Sequence, residues 1–159
     1  MRILVISDTH RNLTNVYKLL KDISDNIDVI IHCGDVVEDA EIIKSKYSNI
    51  KVYNVRGNCD YGSGVTDEEV FNIGNKKIFV THGDMYGVNW NTDRLCYKGA
   101  ELGADICLFG HTHIPVIEKY NGMIIMNPGS PSLPRGGSTY SYGIIKIENN
   151  VVTPVLRNI

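Results

Sequence analysis

No part of this chain concentrates positive charge. Its 16 Lys and Arg are scattered among 18 Asp and Glu, for a formal net charge of -2. Phosphate-backbone binding normally declares itself as a Lys/Arg patch, so no polymeric nucleic acid is expected as partner. Long apolar runs are missing too. The opening Met1-Arg2-Ile3-Leu4-Val5-Ile6-Ser7-Asp8 is too short for a signal-peptide core, and no later run reaches membrane-spanning length. No membrane partner is therefore expected, and the cytoplasm is the expected location. The four cysteines, Cys33, Cys59, Cys96 and Cys107, have no C-x-x-C spacing. That argues against a thiolate zinc site or a thioredoxin-type pair, and for free thiols in a reducing compartment. A cysteine phosphatase is excluded because Asp39 and Val65 stand where its loop arginine would follow Cys33 or Cys59. No serine-nucleophile elbow is present. Repeats, Pro/Ser-rich linkers and low-complexity stretches are also absent. With 159 residues, close to the roughly 150 of one domain, a single domain over residues 1–159 is expected.

What the chain does have is a series of short β-branched runs, each ended by polar residues or glycine. They are Ile3 to Ile6, Val29 to Ile31, Val52 to Val55, Ile78 to Val80, Ile106 to Phe109 and Ile124 to Met126. Being apolar on both faces, they predict buried, partly parallel strands. Between them, Leu13, Val16, Tyr17, Leu20 and Ile23 obey helical spacing, and Ile42, Ile43 and Tyr47 form a shorter candidate. A third helix is predicted from Thr92 to Leu102, with Thr92 as N-cap and Gly103 as its stop. The last third changes character. Val116 to Tyr120, Met123 to Met126, Gly143 to Ile147 and Val151 to Val155 read as strands, joined by hairpin signals at Asn121-Gly122 and Asn149-Asn150. The fold class predicted is α/β, a four-layer α-β-β-α sandwich of two mixed sheets packed face to face with helices outside.

The ends of these runs carry the chemistry. In chain order the residues there are Asp8 and His10, His32 and Asp35, Asn58 and Asp60, His82 and Asp84, then His111 and His113. Strand ends in α/β folds converge on one rim, where ligands bind. An isolated histidine near a strand end is more often structural than a ligand, but five clusters of metal-ligating residue types at five strand ends favour a metal site.

Five motifs carry a resemblance: Asp8-Thr9-His10, Gly34-Asp35, Gly57-Asn58-Cys59-Asp60, Thr81-His82-Gly83 and Gly110-His111-Thr112-His113. In this order they resemble the calcineurin-like metallophosphoesterases, and among them the small YfcE-type phosphodiesterases. The match extends to Asn127-Pro128-Gly129-Ser130. The resemblance implies that Asp8, His10, Asp35 and His113 hold one metal ion and that Asp35, Asn58, His82 and His111 hold the second, with Asp35 bridging. It implies two divalent ions, Mn²⁺ first, with Ni²⁺, Fe²⁺, Co²⁺ or Zn²⁺ as alternatives, because the donors are nitrogen and oxygen. Two such ions about 3.5–4 Å apart suit in-line attack by a bridging hydroxide on phosphorus. A small phosphate diester is the implied substrate, with these seven residues as the catalytic set and Asn58 also contacting substrate. A homodimer is the family's habit.

One position departs from the wider superfamily. Cys59 stands where a histidine commonly protonates the leaving group, so esters with good leaving groups should react most readily. Arg135, in a Pro/Gly loop, could reach a phosphate. Asp60 reads as a ligand-orienting or turn acid, and His32 as a structural histidine before a catalytic one. Arg11 and Arg56 also neighbour motifs. Trp90 and Tyr86 could stack on a base or aryl group, or pack within their own loop. Loops 61–69 and 84–93 would set specificity. A different class of reading, a non-catalytic scaffold, is suggested by a retromer subunit that shares the fold. Such proteins typically lose ligands, whereas every one of them is present here.

Overall fold

In the computed structural model, which describes residues 1–159, the runs Ile3 to Ile6, Val29 to Ile31, Ile106 to Leu108 and Ile124 to Met126 are strands buried on both faces. Strands β1 (Arg2–Ile6), β2 (Val29–His32), β3 (Lys51–Asn54), β9 (Ser141–Glu148) and β10 (Val151–Asn158) form a five-stranded sheet ordered β10-β9-β1-β2-β3. Strands β4 (Glu68–Ile73), β5 (Lys76–Thr81), β6 (Ile106–Leu108), β7 (Val116–Tyr120) and β8 (Met123–Asn127) form a second, ordered β4-β5-β6-β8-β7. Both are mixed. β1, β2 and β3 run parallel, as do β5, β6 and β8, while β9, β4 and β7 pair antiparallel with their neighbours.

Alternation along the strands makes the layers. Ile3, Val5, Val29 and Ile31 of one sheet meet Ile78, Val80, Ile106, Leu108 and Met126 of the other in a shared core. The intervening Leu4, Ile6 and Ile30 face outward onto Val16, Leu19 and Leu20 of α1 (Thr14–Ile23) and Ile43 of α2 (Val37–Lys46). Phe79, Cys107 and Ile125 on the far face of the second sheet pack against Leu95 and Cys96 of α3 (Asp93–Glu101). The four-layer order is therefore as predicted. Truncating a side chain such as the fully buried Leu20 to Ala would cost about 2–5 kcal/mol. Asn121-Gly122 and Asn149-Asn150 both adopt positive φ and turn the β7–β8 and β9–β10 hairpins. No helix is long and apolar enough to cross a membrane.

Three local expectations need correction. Loop 61–69 is not wholly loop, because β4 begins at Glu68 and pairs Glu68 with Thr81. Helix α2 starts at Val37, ahead of its apolar signal at Ile42, because its first turn is capped from a distance: Asp60 Oδ1 accepts the Val37 N–H at 2.8 Å. Thr92 does precede α3, yet its hydroxyl donates to Glu118 Oε2 at 3.0 Å and makes no cap bond.

Candidate metal centre

The loops after β1, β2, β3, β5 and β6 meet at the carboxyl-terminal rim of the two sheets. Outside the hairpin asparagines, the non-glycine residues at positive φ are Asp8, His10, Arg11, Asp35, His111 and His113, so five of the seven predicted ligands sit in the left-handed region. Asp, Asn and His tolerate that region better than most residues, and such conformations gather where surrounding structure over-determines them. Two glycines allow close approach: a Cβ at Gly57 would overlap Asp35 Oδ1, and one at Gly110 would overlap Ser7 Oγ.

The ligand side chains converge over short distances. His113 Nε2 lies 3.2 Å from both Asp8 Oδ1 and His10 Nε2. His10 Nε2 is 3.8 Å from Asp35 Oδ2, and His82 Nε2 is 3.5 Å from the same oxygen. Asp8 Oδ1 stands 3.9 Å from His82 Nε2. Asp8, His10 and His113 form one cluster and Asp8, Asp35 and His82 another. Asn58 and His111 are not drawn in among the carboxylates; they sit beside them as a pair, with His111 Nδ1 2.9 Å from Asn58 Oδ1. All seven thus share one rim.

Whether these residues suit a cation is decided by their unused atoms. Asp8 Oδ1 and His82 Nε2 are buried and have no hydrogen-bond partner. Leaving such groups unpaired costs about 1–3 kcal/mol each, more when charged. Two rings are held so that a lone pair faces the cluster: His82 Nδ1 donates to the Cys33 carbonyl at 2.8 Å and His113 Nδ1 to that of Leu133 at 2.5 Å. Ligating histidines are typically fixed in this way. The residues fit a divalent ion.

Protonation behaviour agrees. Burial pushes the Asp8 carboxyl up, but the close approach of His113 and the charge of His82 outweigh it and leave it below the ordinary value. Asp35 is likewise raised by burial and then carried well below the usual range by His82 and the Cys59 amide. With only protons to bind, His82 is lowered by burial yet raised on balance to about 9 by Asp35 and Asp8.

Several supporting residues went unrecognised in the sequence. Ser130 and Ser132 hydroxyls both donate to the Asp8 carbonyl, at 2.8 and 3.0 Å. Asn127 Nδ2 donates to the Gly110 carbonyl at 2.6 Å and to Thr112 Oγ1 at 3.0 Å, bracing the loop of His111 and His113. Asn89 Nδ2 reaches His111 Nε2 at 2.8 Å. The Asn127-to-Ser130 motif was the one available signal; a lone Asn89 in a loop offered none. Asp60 binds the Gly57 N–H through Oδ2 at 2.8 Å as well as capping α2, so it fastens the Asn58 loop. His32 is buried and takes the Gly34 N–H on Nδ1 at 3.2 Å, while Nε2 donates to Thr9 Oγ1 at 3.0 Å. The Thr9 hydroxyl in turn donates to Asp39 Oδ2 at 2.6 Å.

The remaining candidates divide. Arg56 is engaged by Asp67 through two bonds of 2.6 and 2.9 Å, and the Arg11 amide by Asp39. Tyr86 packs edge-on against Phe79 and bonds Glu68 through its hydroxyl, so it belongs to the loop's own packing. Trp90 and Arg135 are exposed and line a cleft of about 610 Å³ that also includes Asn89 and Thr112. Cys59 donates its N–H to Asp35 Oδ1 at 3.0 Å, and burial together with Asp35 raises its thiol to about 11.

The chain belongs to the calcineurin-like phosphoesterase superfamily, whose domain profile matches residues 1–150. It is 36% identical over 154 residues to the probable metallophosphoesterase YsnB of Bacillus subtilis, covering 96% of this chain and 88% of that protein. It is 32% identical over 119 residues to the phosphodiesterase YfcE of Escherichia coli, covering 68% of this chain and 58% of that protein. Among solved structures, Vps29 of Entamoeba histolytica complexed with Zn²⁺ matches with a TM-score of 0.78 over 99% of this chain and 98% of that one. At 24% identity, this last likeness concerns the fold alone.

Proposed function

We propose that this protein is a metal-dependent phosphodiesterase acting on a small phosphate diester through a dinuclear centre. Asp8, His10, Asp35 and His113 would hold one divalent ion, and Asp35, Asn58, His82 and His111 the other. Held by these residues, two divalent ions would supply a hydroxide nucleophile and would polarise the phosphate oxygens. The chain's own residues do the rest. Asp35 Oδ2 lies 3.8 Å from His10 Nε2 and 3.5 Å from His82 Nε2, which supports Asp35 as the ligand common to both ions. Asn58, exposed at the rim, would contact the phosphate. The nitrogen and oxygen donors suit Mn²⁺ first among the divalent ions considered. The thiols are all unpaired, in keeping with a cytoplasmic setting.

The observation that carries this reading is the unpartnered, buried pair Asp8 Oδ1 and His82 Nε2, set close together among three further ligand groups. The test is to strip metals, add back Mn²⁺, Ni²⁺, Mg²⁺ or Zn²⁺ singly, and assay bis-4-nitrophenyl phosphate against 4-nitrophenyl phosphate. Metal-dependent diester turnover that is lost in His82→Ala and Asp35→Asn is expected. Undiminished turnover in both variants, or none with any metal, overturns it and favours a non-catalytic scaffold. That alternative draws on the shared fold of Vps29, and the complete ligand set weighs against it.

A further inference from the structure

Trp90 is the chain's one tryptophan, and 92% of it is exposed. It stands on the wall of a cleft, where its bare ring offers a stacking surface. The cleft that Trp90 lines adjoins the metal centre at one point, where Asn89 on its wall bonds His111. Its volume of about 610 Å³ falls within the roughly 300–1,000 Å³ of small-molecule sites.

The lining is mixed. Asn91 Oδ1 accepts the Asp93 N–H, which leaves its amide hydrogens uncommitted. Glu118 receives Thr92 on Oε2, which leaves Oε1 as a free acceptor. Arg135 adds a planar cation able to stack on a ring. An aromatic platform, a guanidinium and a donor–acceptor pair match the face and edge of a nucleobase.

We infer that this cleft, lined by Trp90, Asn91, Glu118 and Arg135, binds a nucleoside arm of the substrate while the scissile phosphate lies at the metal centre. The assignment rests on the diesterase reading and narrows its substrate class to nucleoside phosphodiesters.

Because Trp90 is the sole tryptophan, intrinsic emission reports the cleft directly. Titration with adenosine 5′-monophosphate, with and without Mn²⁺, should change that emission saturably, while ribose 5-phosphate and inorganic phosphate should not. No saturable change, or an equal change with all three, overturns the inference. In turnover, kcat/KM for 4-nitrophenyl thymidine 5′-phosphate should exceed that for methyl 4-nitrophenyl phosphate, and Trp90→Ala should shrink the ratio about tenfold, within what base–aromatic stacking is worth. An unchanged ratio overturns the cleft assignment and leaves the diesterase reading standing. If no diester is hydrolysed, the diesterase reading falls, and the emission titration still decides what the cleft binds.

Discussion

The Nε2 atoms of His10 and His113 stand 3.2 Å apart although the two residues are separated by 103 positions in the chain. Only one proton fits between two imidazole nitrogens, whereas a cation takes a lone pair from each. A ligand bound by the folded chain alone stabilises it by about 2.7 kcal/mol at a hundredfold excess over Kd. For a domain of this size that raises Tm by roughly 5–10 °C. Calorimetric scans in Mn²⁺ and in EDTA should differ by at least that amount for the native chain and by clearly less for His113→Ala, which removes a ligand of one ion only.

In the proposed dinuclear arrangement Asp35 is the ligand common to both ions. Replacing it with Asn keeps the shape and removes the charge, so Asp35→Asn should bind one metal ion fewer per chain by elemental analysis. Its kcat on bis-4-nitrophenyl phosphate should fall by at least about 10²–10³, the scale of losing one transition-state charge stabiliser. Full metal content with full activity would place the bridge elsewhere.

His32 sets an acid limit on stability. Burial holds its pKa down at about 4, against an ordinary 6.5, in spite of the nearby carboxylates of Asp8, Asp39 and Asp60. A second ring proton would also face the Gly34 N–H. Between these two values the unfolded chain binds the proton and the folded chain does not. Stability from the neutral ring is therefore complete above pH 6.5 and lost as pH falls towards 4, by up to about 3 kcal/mol. Urea denaturation of metal-free protein at about pH 7 and about pH 5 should show this slope, and His32→Gln should flatten it.

A thiol raised to about 11 makes Cys59 a weak proton donor to a departing alkoxide. Across a series of aryl and alkyl methyl phosphates, log kcat/KM should drop steeply as the leaving group's pKa rises. A flat series would show that some other group delivers the proton.

The convergence of the proposed ligands was legible because they punctuate apolar runs: β1 and β2 announce themselves by composition, and Asp8 and Asp35 come within three residues of their ends. Strand β4 was hidden, since its run Glu68-Glu69-Val70-Phe71-Asn72-Ile73 mixes charge with half-exposed apolar side chains at a sheet edge. The start of α2 was hidden for a different reason, its cap lying in another loop on Asp60. Asn89 matters only through its distance from His111, and no local pattern encodes a contact between residues 22 positions apart.

The left-handed backbone at Asp8, His10, Asp35, His111 and His113 has an evolutionary corollary. Glycine would relax each of these positions, whereas the strands beneath are indifferent to whether the rim works. In a lineage released from the need for turnover, substitutions there would be favoured by thermostability alone. Activity would erode first, and the architecture would outlive it, ready for other employment.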